Sequence, residues 1–279
     1  MPPRGLLDDL AWTNLHKNSF FRLTVEAAVQ AKMRSAYDIA SAFFDQSLTE
    51  KIGSRQTANA GYRPYGIERS KSPEHFDEIE SFSVTRKTTP PQFENEIADQ
   101  LHGRLLDLLD LLEPIAEEIV AAIASRVADV PRERFRSGLR EWSYVQLNRR
   151  FEVHDGAEFT SDAHDDACVL TLMSNTGPGL EIQGPDGCFY PIEIAPTELI
   201  AFPGEVLSLL SGRTLPATFH RVRVAPGQRR RMALLLFADL DPRRCMPWVI
   251  NDSNRDVDMR KFVLQSPTFH GLEAWKLQE

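Results

Sequence analysis

Two different apolar rhythms meet near Leu139. Before it the rhythm is helical. Val25, Val29, Met33, Ala36, Ala40 and Phe43 recur at three- and four-residue spacing, which predicts an amphipathic helix over 25–44. Ser47-Leu48-Thr49-Glu50 has the Ser-x-x-Glu form of a capping box and predicts the start of a short helix. Residues 53–75 are rich in Gly, Ser, Arg and Pro and read as loop, with Gly61-Tyr62-Arg63-Pro64-Tyr65-Gly66 as turn chemistry carrying two aromatics. The longest helical pattern covers 94–127 on a leucine- and isoleucine-rich stripe, and Pro114 inside it predicts a kink or a split.

After Leu139 the rhythm shortens. Apolar runs at 144–151, 168–173, 180–183, 189–194, 198–202, 206–210, 217–224 and 231–238 predict strands. Their close spacing and the turn signals between them argue for a sandwich or barrel. Pro185-Asp186-Gly187 and Pro226-Gly227 read as hairpin turns. The tail has a weak helical signal at 255–263. The division expected is a mainly helical region at 1–140, a β unit at 141–245 and a partly helical tail at 246–279. The first two form one unit, because long amphipathic helices need a surface to cover.

Composition narrows the class. The chain has 279 residues, enough for a sizeable core, and a formal net charge of −8, which argues against nucleic acid or an anionic membrane as partner. No apolar run approaches the ~20 residues of a bilayer-spanning helix. The first residues, MPPRGLLDDLAW, lack a signal-peptide core. Cys168, Cys188 and Cys245 are an odd number without close pairing and read as free thiols, so a cytoplasmic location is expected.

The chemistry concentrates in His164-Asp165-Asp166 and, further on, His220-Arg221-Val222. In an extended strand, residues i and i+2 share a face. His164 and Asp166 would then grip one ion from one strand, and His220 would close the site from a facing one. Two imidazoles and one carboxylate leave open positions opposite them, the facial arrangement of non-haem Fe(II) oxygenases. A zinc hydrolase is also compatible with these ligand types. His75-Phe76-Asp77 is a second His-x-Asp, but it lies in the helical half and no His-Arg-Val follows it at the right distance. His16, His102, His154 and His270 have no acidic residue at i+2.

What surrounds the three ligands is more specific. Val169-Leu170-Thr171-Leu172, Gly179-Leu180-Glu181-Ile182, Gly187-Cys188-Phe189, Pro203-Gly204-Glu205-Val206-Leu207, Leu210-Ser211-Gly212, His220-Arg221-Val222 and Arg231 follow in that order. Ser19-Phe20-Phe21, Gly61-Tyr62 and Glu80-Ser81-Phe82 precede them. From about residue 15 to 245 this series resembles the isopenicillin N synthase-like family of Fe(II)- and 2-oxoglutarate-dependent oxygenases. The resemblance implies an α+β, mainly β fold: a double-stranded β-helix, or jelly roll, with the helical N-terminal region packed against it. It also implies Fe(II) held by His164, Asp166 and His220, with 2-oxoglutarate and O2 as co-substrates.

In that family an Arg-x-Ser pair after the distal histidine holds the far carboxylate of 2-oxoglutarate. The aromatic Phe237 six residues on selects Arg231 from the triplet Arg229-Arg230-Arg231. The arginine fork suits a carboxylate. Two positions depart from the pattern: the serine is Ala233, and the upstream Asn-x-Tyr is Asn148-Arg149-Arg150, with Arg150 in place of tyrosine. The resemblance therefore implies oxidation of an unactivated C–H bond by hydroxylation, desaturation or cyclisation. A small molecule of natural-product biosynthesis or amino-acid modification is the expected substrate. Tyr62, Arg63, Tyr65, Arg149, Arg150, Phe189 and Arg213 are candidates for the cavity mouth, and the excess of arginines points to an anionic substrate. An Fe(II) oxidase of the same fold that uses no 2-oxoglutarate, and a non-catalytic jelly-roll binding module, remain as alternatives.

Overall fold

The computed structural model describes residues 7–57, 60–70, 76–86, 93–127, 139, 142–150, 157–224, 230–240, 245–246 and 257–258. Five helices are described: α1 (Asp9–Asn18), α2 (Ala27–Phe44), α3 (Leu48–Ile52), α4 (Glu96–Val127) and α5 (Glu205–Leu210). The capping box is present at α3, where Ser47 and Glu50 bond reciprocally. Pro114 does not split the long helix. It lies inside a continuous α4, whose apolar stripe packs on both sides of the proline against α2 and the underlying sheet. α5 replaces a predicted strand. Val206, Leu207 and Leu210 are buried at i, i+1 and i+4, a helical spacing that so short an apolar run does not reveal by itself.

The strands form two antiparallel layers. The larger sheet has eight strands in the order β1 (Phe21–Thr24), β10 (Glu198–Pro203), β7 (Leu170–Asn175), β12 (Met232–Ala238), β5 (Tyr144–Arg150), β4 (Ile79–Thr85), β3 (Ala60–Arg63) and β2 (Arg55–Thr57). The smaller has four, in the order β6 (Phe159–His164), β11 (His220–Arg223), β8 (Leu180–Gln183) and β9 (Phe189–Pro191). This is a jelly-roll core. The Pro185-Asp186-Gly187 turn joins β8 to β9 as expected, with Gly187 at φ +79.

The N-terminal region is less helical than its sequence suggests. β1 adds one edge to the larger sheet, and β2, β3 and β4 extend the other, so the presumed loop at 53–75 contains two strands. Pro226-Gly227, Arg229, His75, His154, His270 and most of the tail lie outside the described residues. Val257–Asp258, inside the predicted helical stretch, pairs instead with Cys245–Met246 as two short strands.

Alternation along the larger sheet separates two cores. Leu170, Leu172, Leu234, Leu236, Val145 and Leu147 face the layer under α2 and α4. Met173, Ile200, Phe202, Ala233 and Leu235 face the smaller sheet together with Leu180 and Ile182. The second, smaller core leaves room for a cavity between the sheets.

Candidate metal and co-substrate site

β6 and β11 are antiparallel neighbours, and their register sets His220 opposite His164. The ring centroids are 4.3 Å apart. Asp166 lies beyond the end of β6, so one strand does not carry both ligands as expected. Other bonds fix it. The Asp166 carbonyl accepts from the Glu205 N–H at 2.7 Å. The Thr171 hydroxyl donates to Oδ2 at 2.5 Å. Asp166 Oδ1 lies 3.7 Å from His164 Nε2 and 3.9 Å from His220 Nε2. Gly204 makes this turn possible: a Cβ there would sit 2.1 Å from the Cys168 carbonyl oxygen and 2.7 Å from that of Asp166.

The ring nitrogens are sorted by the backbone. Each Nδ1 meets the carbonyl two residues upstream, Asp162 O at 2.6 Å and Thr218 O at 3.1 Å. With Nδ1–H donating there, each Nε2 keeps its lone pair for a metal. Burial, and the neighbouring His164, hold His220 below the usual histidine pKa, in the neutral ligand form. The three ligand atoms lie within 4.8 Å of one another. A six-coordinate ion with bonds of about 2.1 Å needs adjacent ligand atoms about 3 Å apart, so a small inward movement closes the set. Two imidazoles with their Nε2 atoms turned inward and one oriented carboxylate fit Fe(II).

A cavity of about 510 Å³ opens from this triad. Arg231, Asn148, Ala233 and Arg150 all line it. Ala233 and Asn148 are register partners on β12 and β5, and the Arg150 N–H donates to the Arg231 carbonyl at 2.9 Å. Arg231 is buried, which pulls its pKa down to about 10, and Arg150 adds to the shift. Two guanidinium groups thus line the cavity, Arg231 buried in its wall and Arg150 beside it, and the residues present fit the carboxylate of 2-oxoglutarate. Arg150, which replaces the family's tyrosine, adds positive charge there. Arg230 pairs with Asp45 at 3.0 Å and is mostly exposed, in keeping with a solvated position.

Of the residues expected at the mouth, Arg63 lines the cavity, where it bonds Ser81 at 3.1 Å, Ser83 at 2.8 Å, Glu68 at 2.8 Å and Gln146. Five others do not line it. Tyr62 and Arg149 point to the opposite face of the sheet, toward the helices, and both bind Glu80. Phe189 lies on the edge strand of the smaller sheet under the Arg221 guanidinium, 4.0 Å from its ring centroid. Arg213 is exposed beyond α5 in a left-handed conformation, φ 64. Tyr65 packs edge-on against Phe76. Sequence reasoning missed Glu68, Asp77, Gln146 and Thr171. Two of these left a trace, Asp77 in the second His-x-Asp and Thr171 as a polar residue inside an apolar strand. Cys168 is buried core and also lines the cavity, 3.3 Å from the Thr171 hydroxyl.

Residues 142–239 match the family model described as the 2OG-Fe(II) oxygenase superfamily. The 2-oxoglutarate-dependent dioxygenase AOP3 of Arabidopsis thaliana is 28% identical over 89 residues, 32% of this chain and 22% of AOP3. The match thus spans about a fifth of that relative's length. A full-length Neurospora crassa protein solved in complex with alpha-KG superposes with a TM-score of 0.76 at 19% identity, covering 92% of this chain and 88% of its own. A putative 2OG-Fe(II) oxygenase family protein from Caulobacter crescentus gives 0.74 at 22% identity, covering 92% of each. These structural likenesses establish the fold. The family match covers residues 142–239, the stretch that carries His164, Asp166, His220 and Arg231, and the three-residue cluster within it is a donor set that suits Fe(II). Among the described residues no helix is long and apolar enough to cross a membrane.

Proposed function

We propose that this protein is a dioxygenase that oxidises a C–H bond of a small molecule, with His164, Asp166 and His220 as iron ligands and Arg231 as the anchor of 2-oxoglutarate. The observation that carries the reading is one cavity with a three-ligand metal site and the buried Arg231 both on its wall. When bound, Fe(II) supplies the oxidising chemistry: for a hydroxylation, substrate C–H, 2-oxoglutarate and O2 give substrate C–OH, succinate and CO2.

The chain's own residues supply placement. Thr171 holds one oxygen of Asp166, so the other stays toward the imidazoles. The carbonyls of Asp162 and Thr218 hold both rings in one tautomer. Arg231 meets a carboxylate as a charge-assisted pair, and Arg150 stands beside it. Asn148 lines the same cavity and is oriented by Gln146, whose side-chain N–H donates to Asn148 Oδ1 at 2.7 Å. The apolar wall of Met173, Leu235 and Phe237 limits water around the reacting centre. A small molecule as substrate is supported by cavity size. It is also supported by the structural neighbours, since the Neurospora crassa protein has been solved with thymine and JOX2 with 2OG, Fe and JA.

The test is anaerobic addition of Fe(II) and 2-oxoglutarate to the protein. A visible charge-transfer absorption that needs both, followed by succinate release on admitting O2, is expected. Fe(II) binding with no such band would remove 2-oxoglutarate from the reading and leave an Fe(II) oxidase. No Fe(II) binding at all would leave a binding module.

A further inference from the structure

The arginine-rich sequence around the cavity suggests an anionic substrate, but its folded walls point the other way. Arg63 is tied to Glu68 at 2.8 Å and to three neutral side chains, so its charge is already met. Arg149, Arg221 and Arg223 are not on the cavity wall, and each pairs with a glutamate. Arg150 and Arg231 stand at the end assigned to the co-substrate. Arg69 lines the cavity but is exposed at its rim.

The wall nearest the triad is acidic. Asp77 lines the cavity, is only 7% exposed and lies within electrostatic reach of His164. Its segment is fastened on both sides, by Asp77 N–H to the Glu68 carbonyl at 2.9 Å and Glu78 N–H to the Thr160 carbonyl at 2.8 Å. Its carboxylate accepts from the Ser70 hydroxyl at 2.5 Å. Among the described residues no lysine or arginine forms an ion pair with it. Burial is the main cause of its raised pKa, and Glu68 adds to it while the Ser70 hydrogen bond opposes it. Asp165 and Asp239 add two more acidic side chains to the same cavity.

We infer that Asp77 is a substrate-binding residue and that the substrate carries a cationic nitrogen group, an amine or amidine, that pairs with it beside the metal site. Ile67 lines the same cavity, offering apolar contact for the rest of such a molecule. The inference rests on the oxygenase reading for the meaning of the cavity, though its charge preference is measurable without turnover.

The probes are benzamidine, benzamide and benzoate, which share a shape and differ in charge and donors. Their binding to the full chain, loaded with Fe(II) and 2-oxoglutarate under anaerobic conditions, is followed by calorimetry and by perturbation of the visible band. Benzamidine is expected to bind more tightly than benzamide, and benzamide more tightly than benzoate. Asp77→Asn is expected to weaken benzamidine about tenfold to a hundredfold and leave benzamide within a few-fold. Unchanged circular dichroism and an unchanged band in Asp77→Asn establish that the variant is folded. Should that variant fail to fold, the ranking in the unaltered chain still decides. A preference for benzoate, equal binding of all three, or no binding of benzamidine overturns the inference. A missing band with the ranking intact would overturn the oxygenase reading and leave the charge preference standing.

Discussion

On β3, β4 and β5, neighbouring residues serve two different polar clusters. Tyr62, Glu80 and Arg149 point into the layer under the helices, while Arg63, Ser81, Gln146 and Asn148 point toward the cavity or its wall. The helix-side cluster is closed. Glu80, fully buried, accepts from Lys51 Nζ and Tyr62 OH at 2.7 Å each and from Arg149 at 2.6 Å. Lys51 also donates to the Phe44 carbonyl at 3.0 Å, and Arg149 pairs with Asp45 at 2.6 Å. Two cations and their carboxylates use up each other's bonding capacity, so nothing remains for a ligand. The cavity-side groups include the triad, Arg231 and Asp77, whose chemistry calls for a metal, an anion and a cation. Similar residue types thus become structural or functional according to which face of a strand they occupy.

Breaking each cluster should have separable consequences. The largest effect is expected from His220→Ala, which removes one of the three proposed metal ligands. Succinate production should fall at least about a thousandfold and the charge-transfer band should vanish, with little change in melting temperature. Retained turnover would show that the cavity-side cluster is not the reaction centre. Next comes Glu80→Ala, which leaves Lys51 and Arg149 buried without their shared carboxylate. A loss of about 3–5 kcal/mol in denaturant unfolding is expected, with the band maximum unmoved in the protein that remains folded. A stable variant with a displaced band would mean that the two clusters are not separate.

Arg231→Ala should raise the dissociation constant for 2-oxoglutarate about tenfold to a hundredfold while Fe(II) binding stays within a few-fold. Equal losses of both would show that Arg231 supports the fold instead. The smallest effect concerns Asp77, whose pKa is raised to about 6 mainly by burial. A raised carboxylate pKa means that the folded chain binds more protons than the unfolded one between about pH 4 and 6. The carboxylate therefore costs stability above that window, and the cost falls away as pH drops through it. Metal-free Asp77→Asn should be more stable than the unaltered chain at pH 8, by on the order of 2 kcal/mol, and should lose that advantage toward pH 4. Urea unfolding at pH 8, 6 and 4.5 measures it, and an advantage that grows toward low pH would contradict the assignment of burial as the cause.

Much of the site was legible in the chain itself. His164, Asp166, His220 and Arg231 sit in motifs whose order along the chain survives folding, and the apolar rhythms located α2, α4 and most of the β unit. The errors have physical causes. Residues 53–75 carry Gly, Pro and Arg and look like loop, yet β3 is a strand because its flanking pairing partners, β2 and β4, bury it. Without that pairing, the parity that sends Tyr62 one way and Arg63 the other is not defined. The Arg149 and Arg150 pair was visible as a pair, but which one meets the cavity depends on the same register. The run at 206–210 was too short for its period to distinguish helix from strand.

By itself, then, the amino-acid order determined the ligand types, their spacing and the layered class of the fold, because those depend on local periodicity and on motifs close in the chain. Only the tertiary structure decided which polar residues are mutually satisfied and which face the cavity. Asp77 shows why. It lies 87 residues before His164 in the chain, and the contact of its segment with β6, through Glu78 and Thr160, brings it to the metal site. Burial and electrostatic reach depend on distance in space, and the chain order carries no local signal of either.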